Sequence, residues 1–400
     1  MVEGTAGPLA GIRVIDIGTM IAGPFAATLL ADFGAEVIKV ELPGRGDMLR
    51  HLGPVRNGTS LWFAADARNK KSVTLDLRRP AGRALLLRLV AVADVLVENF
   101  VPGTLDGWGL DEKTLRAANP RLIIFRASGF GQTGPYRRRP GYDRVGVAFG
   151  GLWHITGKPD DEPIRPGTAI ADYLTGTFGA LGLMLALYHR DARGGPAQAI
   201  DGSLFESVFR LMEYTAVHYH LEGVVRDRTG NAGPAVPSGA FRTCDGRWVA
   251  LVAAEDAMYG RLMRAIGRED LASDPRYQTA PGRAADREPL ETAIRQWVAA
   301  HPLAEVLAAF EAADVPAAAS TTIADIFADP HYAAREAIVT TEDPALGTVR
   351  MQGVTPRLSL TPGSVRRGAP LLGEHNREVY EGLLGLDPAE LERLHAEGVI

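Results

Sequence analysis

Arg165-Pro-Gly-Thr-Ala-Ile-Ala-Asp172 runs into a long apolar stretch, Tyr173 to His189, and sets a carboxylate at the start of a helix. There it faces unpaired backbone N–H groups and the positive end of the helix dipole, an arrangement that keeps it ionised. An ionised carboxylate in a protected site can attack an activated acyl group. An Asp in this position also serves as a plain N-cap, and the local residues alone do not separate the two roles. Other groups point to less. Gly129-Phe-Gly131-Gln-Thr-Gly134 matches the dinucleotide fingerprint and follows a strand, but Pro135 to Gly141 cannot continue as the helix that would hold a pyrophosphate. The first βα turn, Gly18-Thr-Met-Ile-Ala-Gly23, does not match it, and Glu41 reads as a solvated strand-end residue rather than a ribose ligand. His218 and His220 flank Tyr219 on a predicted helix, where such positions do not face each other, so no metal site is expected. There is no G-x-S-x-G elbow, and Arg137-Arg138-Arg139 is either a solvated loop or a run that holds phosphates.

The elements that must position Asp172 alternate strand and helix. Ile12 to Ile17 is an apolar run; Pro24 suits the first turn of the helix that follows, and Gly34 its C-terminal cap, before the strand Glu36 to Glu41. This βαβ unit predicts parallel strands and a right-handed crossover. Ser72–Leu77, Val95–Val97, Leu122–Phe125 and Ala197–Ile200 read as further strands, with a helix from Pro80 through Val90. In the helix after Asp172, Leu174, Phe178, Leu181, Leu185 and Tyr188 fall on one face and small residues on the others, which predicts a buried helix.

At 400 residues, two domains are expected. The reading is a large α/β, Rossmann-like domain with a parallel sheet over 1–222, then a linker over 223–239 rich in Gly and Pro. A small α+β domain follows over 240–325, opening on a hairpin at Asp245-Gly246, and 326–400 is a linker with C-terminal helices returning to the large domain. The net charge of -5 argues against nucleic acid as a partner. One cysteine, Cys244, excludes an internal disulfide and fits a cytoplasmic protein. No segment reads as a membrane span or a signal peptide, so no membrane partner is expected.

Several segments, in order along nearly the whole chain, carry a resemblance to a known family. They include Leu9-Ala-Gly-Ile-Arg-Val-Ile-Asp16, Ala22-Gly-Pro24, Leu30-Ala-Asp-Phe-Gly-Ala-Glu-Val-Ile-Lys-Val-Glu41 and Asn69-Lys-Lys-Ser-Val-Thr-Leu-Asp-Leu77. Asp94 to Phe100, Ser128-Gly-Phe-Gly131, Gly141-Tyr-Asp143, Ala171-Asp172 and Asp245-Gly246 continue the set. The ordered set resembles the family III CoA-transferases, the formyl-CoA transferase and carnitine CoA-transferase (CaiB/BaiF) group. The resemblance implies that Asp172 is the catalytic carboxylate and that Ile21, Ala22, Leu75, Asp76, Leu77, Arg78, Asn99, Phe100 and Val101 contact CoA. It places the loop holding Arg139 and Tyr142 near the nucleotide end. It implies an interlocked homodimer, no permanently bound cofactor, and an acyl-CoA with a small carboxylic acid as substrates.

Two segments depart from the family. Thr104-Leu-Asp-Gly-Trp108 stands where members often carry an Arg, and Ala232 to Gly239 replaces the glycine run of formyl-CoA transferase, so oxalate is not implied. By analogy a dicarboxylate donor such as succinyl-CoA is common, and the acceptor stays open. One rival is the 2-methylacyl-CoA racemase branch, which needs a second acid/base group and typically has His at the position of Tyr142; tyrosine is a poor base near neutral pH. Another is a non-catalytic CoA-ester binder, which would have lost the carboxylate that Asp172 supplies.

Overall fold

The computed structural model describes residues 7–400. The chain forms two compact units. One takes in the chain up to His154, Arg165–Val225 and His331–Ile400; the other takes in Ile155–Ile164 and Arg226–Pro330. Residues 155–164, which the sequence reading leaves in the large domain, thus group with the second unit.

The first unit is built on a six-stranded sheet. Its strands are β1 (Arg13–Asp16), β2 (Glu36–Glu41), β3 (Lys70–Thr74), β4 (Val95–Glu98), β5 (Ile123–Ser128) and β6 (Ala199–Ser203). All pair in parallel, in the spatial order β3-β2-β1-β4-β5-β6. Around it lie α1 (Ala22–Asp32), α2 (Leu61–Asp66), α3 (Pro80–Ala91), α4 (Glu112–Ala118), α5 (Asp143–Phe149) and α6 (Ile170–Asp191). Successive strand residues point to opposite faces, so a sheet covered on both sides needs apolar residues at every position. Ile15, Leu96 and Ile124 enter one core with Leu86 of α3 and Leu115 of α4, while Val14, Val97 and Phe125 enter the other with Ala26 of α1 and Leu183 of α6. The parallel α/β sheet expected from the apolar runs is therefore present. Its strand order brings β1 beside β4, where the connections diverge to opposite faces, and ligands bind beyond the carboxyl ends of strands at such a switch point.

An exposed edge strand is a template for unwanted pairing. β3 is covered by the C-terminal segment: Asn376 accepts from Thr74 N at 2.9 Å, the Tyr380 hydroxyl donates to Thr74 O at 2.8 Å, and Asp76 N donates to Val399 O at 2.7 Å.

The second unit carries an antiparallel sheet of β7 (Ser238–Arg242), β8 (Trp248–Val252) and β9 (Ala317–Ala319), with β8 central. The predicted Asp245-Gly246 hairpin joins β7 to β8, with Gly246 at φ 79°. Val249 and Leu251 pack there with Leu262, Ile294 and Phe310 from its helices.

Three expectations need correction. Residues beyond Ile323, read as irregular before the final helices, include a hairpin of β10 (Ile338–Asp343) and β11 (Gly347–Gln352). The helix holding Asp172 is not buried all round: Phe178, Leu181, Leu185 and Tyr188 are between 38% and 60% exposed. And α6 is long and apolar enough, by length and composition, to cross a membrane, which the sequence reading had not found. In this fold it lies along α1 and the sheet, with Ala171, Thr175, Gly179, Leu183 and the charged Arg190 buried.

Candidate active site

The loop after β1 borders both cavities, and buried or half-buried side chains hold its peptides. Asp16 accepts from Gly18 N at 3.1 Å, and Lys39 donates to Gly18 O at 2.9 Å. Asn99, just past β4, accepts from Thr19 N at 2.8 Å and donates to Thr19 O at 2.6 Å. Asp47 accepts from Met20 N at 2.9 Å. Met20 sits at φ 64°, a left-handed conformation that a non-glycine residue keeps only where its surroundings impose it. The charges balance locally: Lys39 pairs with Asp47 at 2.7 Å and Lys70 with Asp16 at 2.8 Å, all four essentially inaccessible. Burial opposes the charge on Lys39, but Asp16, Asp47 and Glu41 outweigh it and hold the ammonium above its ordinary value. Such pairs add little net stability, and losing either partner strands a buried charge.

Glycine lets α6 close on this loop. A Cβ at Gly176 would lie 2.8 Å from Ala22 O and 2.9 Å from the Phe25 ring, so only glycine permits the contact between α6 and the N-terminus of α1. That contact brings Asp172, in the first turn of α6, to the same cavity as Ala22.

Asp172 does not cap its own helix. The N-cap is Ala169, and the first turn is capped by Asp143, whose Oδ1 accepts from Ala171 N at 2.8 Å and approaches Asp172 N at 3.5 Å. The N-cap role that the sequence could not separate from catalysis is thus filled by another residue. Among the described residues none donates a hydrogen bond to the Asp172 carboxylate, and Asp143 Oδ2 is buried without a donor. Burial, and then the Asp143 charge, push Asp172 up to about 7. The expectation of a carboxylate held ionised by the helix end is therefore corrected, because the N–H groups that would stabilise it already serve Asp143. Raised basicity makes a better nucleophile once the proton is off.

Two cavities open at this edge, both formed by the first unit. One of about 410 Å³ is lined by Ala22, Asn99, Ser128, Arg139, Tyr142 and Asp172. The other, of about 270 Å³, is lined by Glu41, Leu75, Asp76, Arg78 and Trp108. Thr19, Met48 and Phe100 belong to both walls.

The structure thus gathers the sequence-derived residues into two groups. Ala22, Asn99, Phe100, Val101, Arg139 and Tyr142 stand with Asp172, whereas Leu75, Asp76, Leu77 and Arg78 line the second cavity. Ile21 lines neither; its side chain is buried with Leu49 and Phe63, so only its backbone can face a ligand. Arg139 and Tyr142, expected near a nucleotide end, line the same cavity as Asp172. The glycine-rich stretch 129–134 is followed by no helix until Asp143, which removes the dinucleotide reading. Among the described residues no cluster of His, Cys, Asp and Glu could hold a metal ion.

Sequence reasoning missed Asp143, although it quoted the Gly141-Tyr-Asp143 motif, because only the fold carries it to α6. It also missed a cluster beside Asp172. The Tyr173 hydroxyl donates to Asp66 Oδ2 at 2.9 Å, and Trp62 Nε1 donates to the same oxygen at 3.0 Å and to the Tyr173 hydroxyl at 2.8 Å, tying α2 to the first turn of α6. Burial raises the Asp66 carboxyl above its ordinary value.

Fold and site together define an α/β enzyme that presents one under-bonded carboxylate to a cavity at the switch point of a doubly wound sheet. The model of CoA-transferase family III matches residues 9–376. The succinyl-CoA–D-citramalate CoA-transferase of Chloroflexus aurantiacus is 46% identical over 98% of both chains. The beta subunit of the succinyl-CoA–L-malate CoA-transferase of the same organism is also 46% identical, over 98% of both chains. Among solved structures, a CAIB/BAIF family protein from Brucella suis superposes with a TM-score of 0.85 at 36% identity, covering 95% of this chain and all of that one. The chain belongs to CoA-transferase family III, as its motifs suggested, and is an enzyme that moves CoA between an acyl-CoA and a carboxylic acid.

Proposed function

We propose that Asp172 carries CoA as an aspartyl thioester, that succinyl-CoA is the donor, and that the acceptor is a hydroxydicarboxylate. The observation that carries the mechanism is the Asp172 carboxylate itself: basic, without hydrogen-bond donors among the described residues, and lining a cavity. The substrate classes rest on the relatives, which are named for succinyl-CoA with D-citramalate or L-malate.

The steps balance without any external proton. An Asp172 oxygen attacks the thioester carbonyl, the C–S bond breaks, and CoA thiolate leaves a mixed anhydride. The thiolate then attacks the Asp172 carbonyl, the bond to the bridging oxygen breaks, and the donor acid departs as a carboxylate. An acceptor carboxylate attacks the aspartyl thioester, thiolate leaves again, and its attack on the acceptor carbonyl frees Asp172. What the protein must supply is an ionised Asp172, fixed geometry and a dry site. The clamped Gly18–Met20 loop and the Asp143 cap supply the geometry. The racemase alternative needs a second base, and no histidine lines this cavity among the described residues.

In this reading the thioester lies in the Asp172 cavity and the nucleotide end reaches the cavity of Asp76 and Arg78. There Phe100 and Trp108, edge to face with centroids 5.4 Å apart, offer an aromatic wall. The exposed Phe178, Leu181, Leu185 and Tyr188 face of α6 supports the homodimer that the family resemblance implies. Light scattering on the purified protein tests this, and a monomeric mass overturns it.

The mechanism is tested by incubation with succinyl-CoA, a hydroxylamine quench and peptide mapping. A hydroxamate on Asp172 is expected. CoA transfer to L-malate or D-citramalate with Asp172 unmodified overturns it.

A further inference from the structure

The cavity that presents the nucleophile holds two charged groups, and the mechanism uses only one. Asp172 is its anion and Arg139 its cation among the described lining residues. The Arg139 guanidinium stacks 3.6 Å from the centroid of the Tyr136 ring. Stacking occupies a face of the guanidinium and leaves its N–H fork free for a carboxylate. Among the described residues no carboxylate lies within ion-pair distance of it, whereas Arg50 and Arg78, in and around the neighbouring cavity, are each paired with a carboxylate. Nor does Arg139 pair with Asp172: the charge that moves Asp172 is that of Asp143.

A diacyl substrate needs this separation. When its thioester carbonyl meets Asp172, its free carboxylate lies a short carbon chain away, where a cation with no carboxylate of its own can receive it. A guanidinium touching the nucleophile would instead quench it. On the same wall Asn99 is committed to the Thr19 backbone through both its oxygen and its nitrogen, and the Ser128 hydroxyl, buried without a partner, carries no charge to balance a carboxylate.

We infer that Arg139 receives the distal carboxylate of the acyl group, and so selects dicarboxylyl-CoA over monocarboxylyl-CoA substrates. This rests on the dicarboxylate reading above and departs from a role for Arg139 at the CoA nucleotide.

The test is a binding comparison in which turnover is silenced by Asp172→Asn, so it does not depend on the covalent mechanism. Succinyl-CoA and butyryl-CoA share a chain length and differ in the terminal carboxylate. Calorimetric affinities for both are compared between Asp172→Asn and Asp172→Asn/Arg139→Gln. The expected result is a loss of roughly tenfold or more for succinyl-CoA, typical of a charge-assisted pair, with butyryl-CoA unchanged. Arg139→Lys, which keeps the charge without the fork, should restore part of the succinyl-CoA affinity. Equal losses for both thioesters would place Arg139 on the CoA moiety and overturn the inference, as would no loss for either. A failure of the covalent reading shows separately, as an absent Asp172 hydroxamate in the chain with its native Asp172.

Discussion

The two cavities at the switch point share Thr19, Met48 and Phe100 yet treat charge in opposite ways. Around Asp76 every carboxylate is paired with a cation. Arg78 clasps Asp76 through two bonds of 2.7 and 2.9 Å, Arg50 clasps Glu41, and Lys39 holds Asp47. The Arg78 hydrogen bonds hold Asp76 below its ordinary value, and Asp47 and Glu41 are likewise lowered because their cationic partners outweigh burial. Around Asp172 the opposite holds: its carboxylate has no donor, Asp143 Oδ2 has none, and Arg139 has no carboxylate, among the described residues. Paired charges make a fixed surface, while unpaired ones store reactivity for a substrate. On the mechanism proposed above, the contrast separates a part that binds from a part that reacts.

The largest effect should come from removing the reactive group. Asp172→Ala is expected to lower kcat by roughly 10⁴-fold or more, as loss of a covalent nucleophile does elsewhere, while the affinity for free CoA stays near that of the parent. Steady-state transfer and calorimetry read the two halves of this prediction. Weakened CoA binding of similar size would erase the distinction between the cavities. Next is Gly176→Ala, whose Cβ would meet Ala22 O at 2.8 Å. Overpacking of this kind costs about 1–3 kcal/mol, and a displacement of about 1 Å at the nucleophile costs about 10²-fold in rate. A lower melting temperature with a fall in kcat larger than the change in KM is expected. Unchanged kcat would mean that the approach of α6 to α1 does not set the position of Asp172.

How much of this was legible depends on whether the signal was local. The parallel strands were, because a sheet covered on both faces leaves continuous runs such as Val14-Ile15 and Ile123-Ile124-Phe125. The β10–β11 hairpin was not: Ile338–Asp343 buries only Thr341 and Asp343, so no apolar alternation marks it. Periodicity found the Phe178, Leu181, Leu185 and Tyr188 stripe on α6 but not what covers it, and in the chain described here the stripe is exposed. Asp172 stood out by its place before a helix. Its basicity did not, since that depends on Asp143, 29 positions away in sequence and brought near only by the fold.

That dependence gives the third prediction. Activity should rise with pH as Asp172 loses its proton near 7, because only the carboxylate attacks. The Asp143 charge raises Asp172, so Asp143→Asn should move the acid limb of the kcat/KM profile to lower pH. The amide retains an oxygen for Ala171 N, so the helix cap survives. A limb that stays put would assign the shift to burial alone, and one that moves upward would contradict the geometry.

The smallest effect should come from the paired cavity. Asp76→Asn loosens the clasp on Arg78, whose side chain is largely exposed to screening by solvent, so the change should be small, about fivefold at most. The backbone hydrogen bond from Asp76 N to Val399 O does not involve the side chain, so the local fold should persist. If this end binds the part of CoA common to all its thioesters, KM should rise by the same modest factor for succinyl-CoA and butyryl-CoA, with kcat unaltered. That uniform response is the reverse of the selective one expected at Arg139. A selective response here, or a fall in kcat, would mean that pairing does not mark the division between binding and reaction.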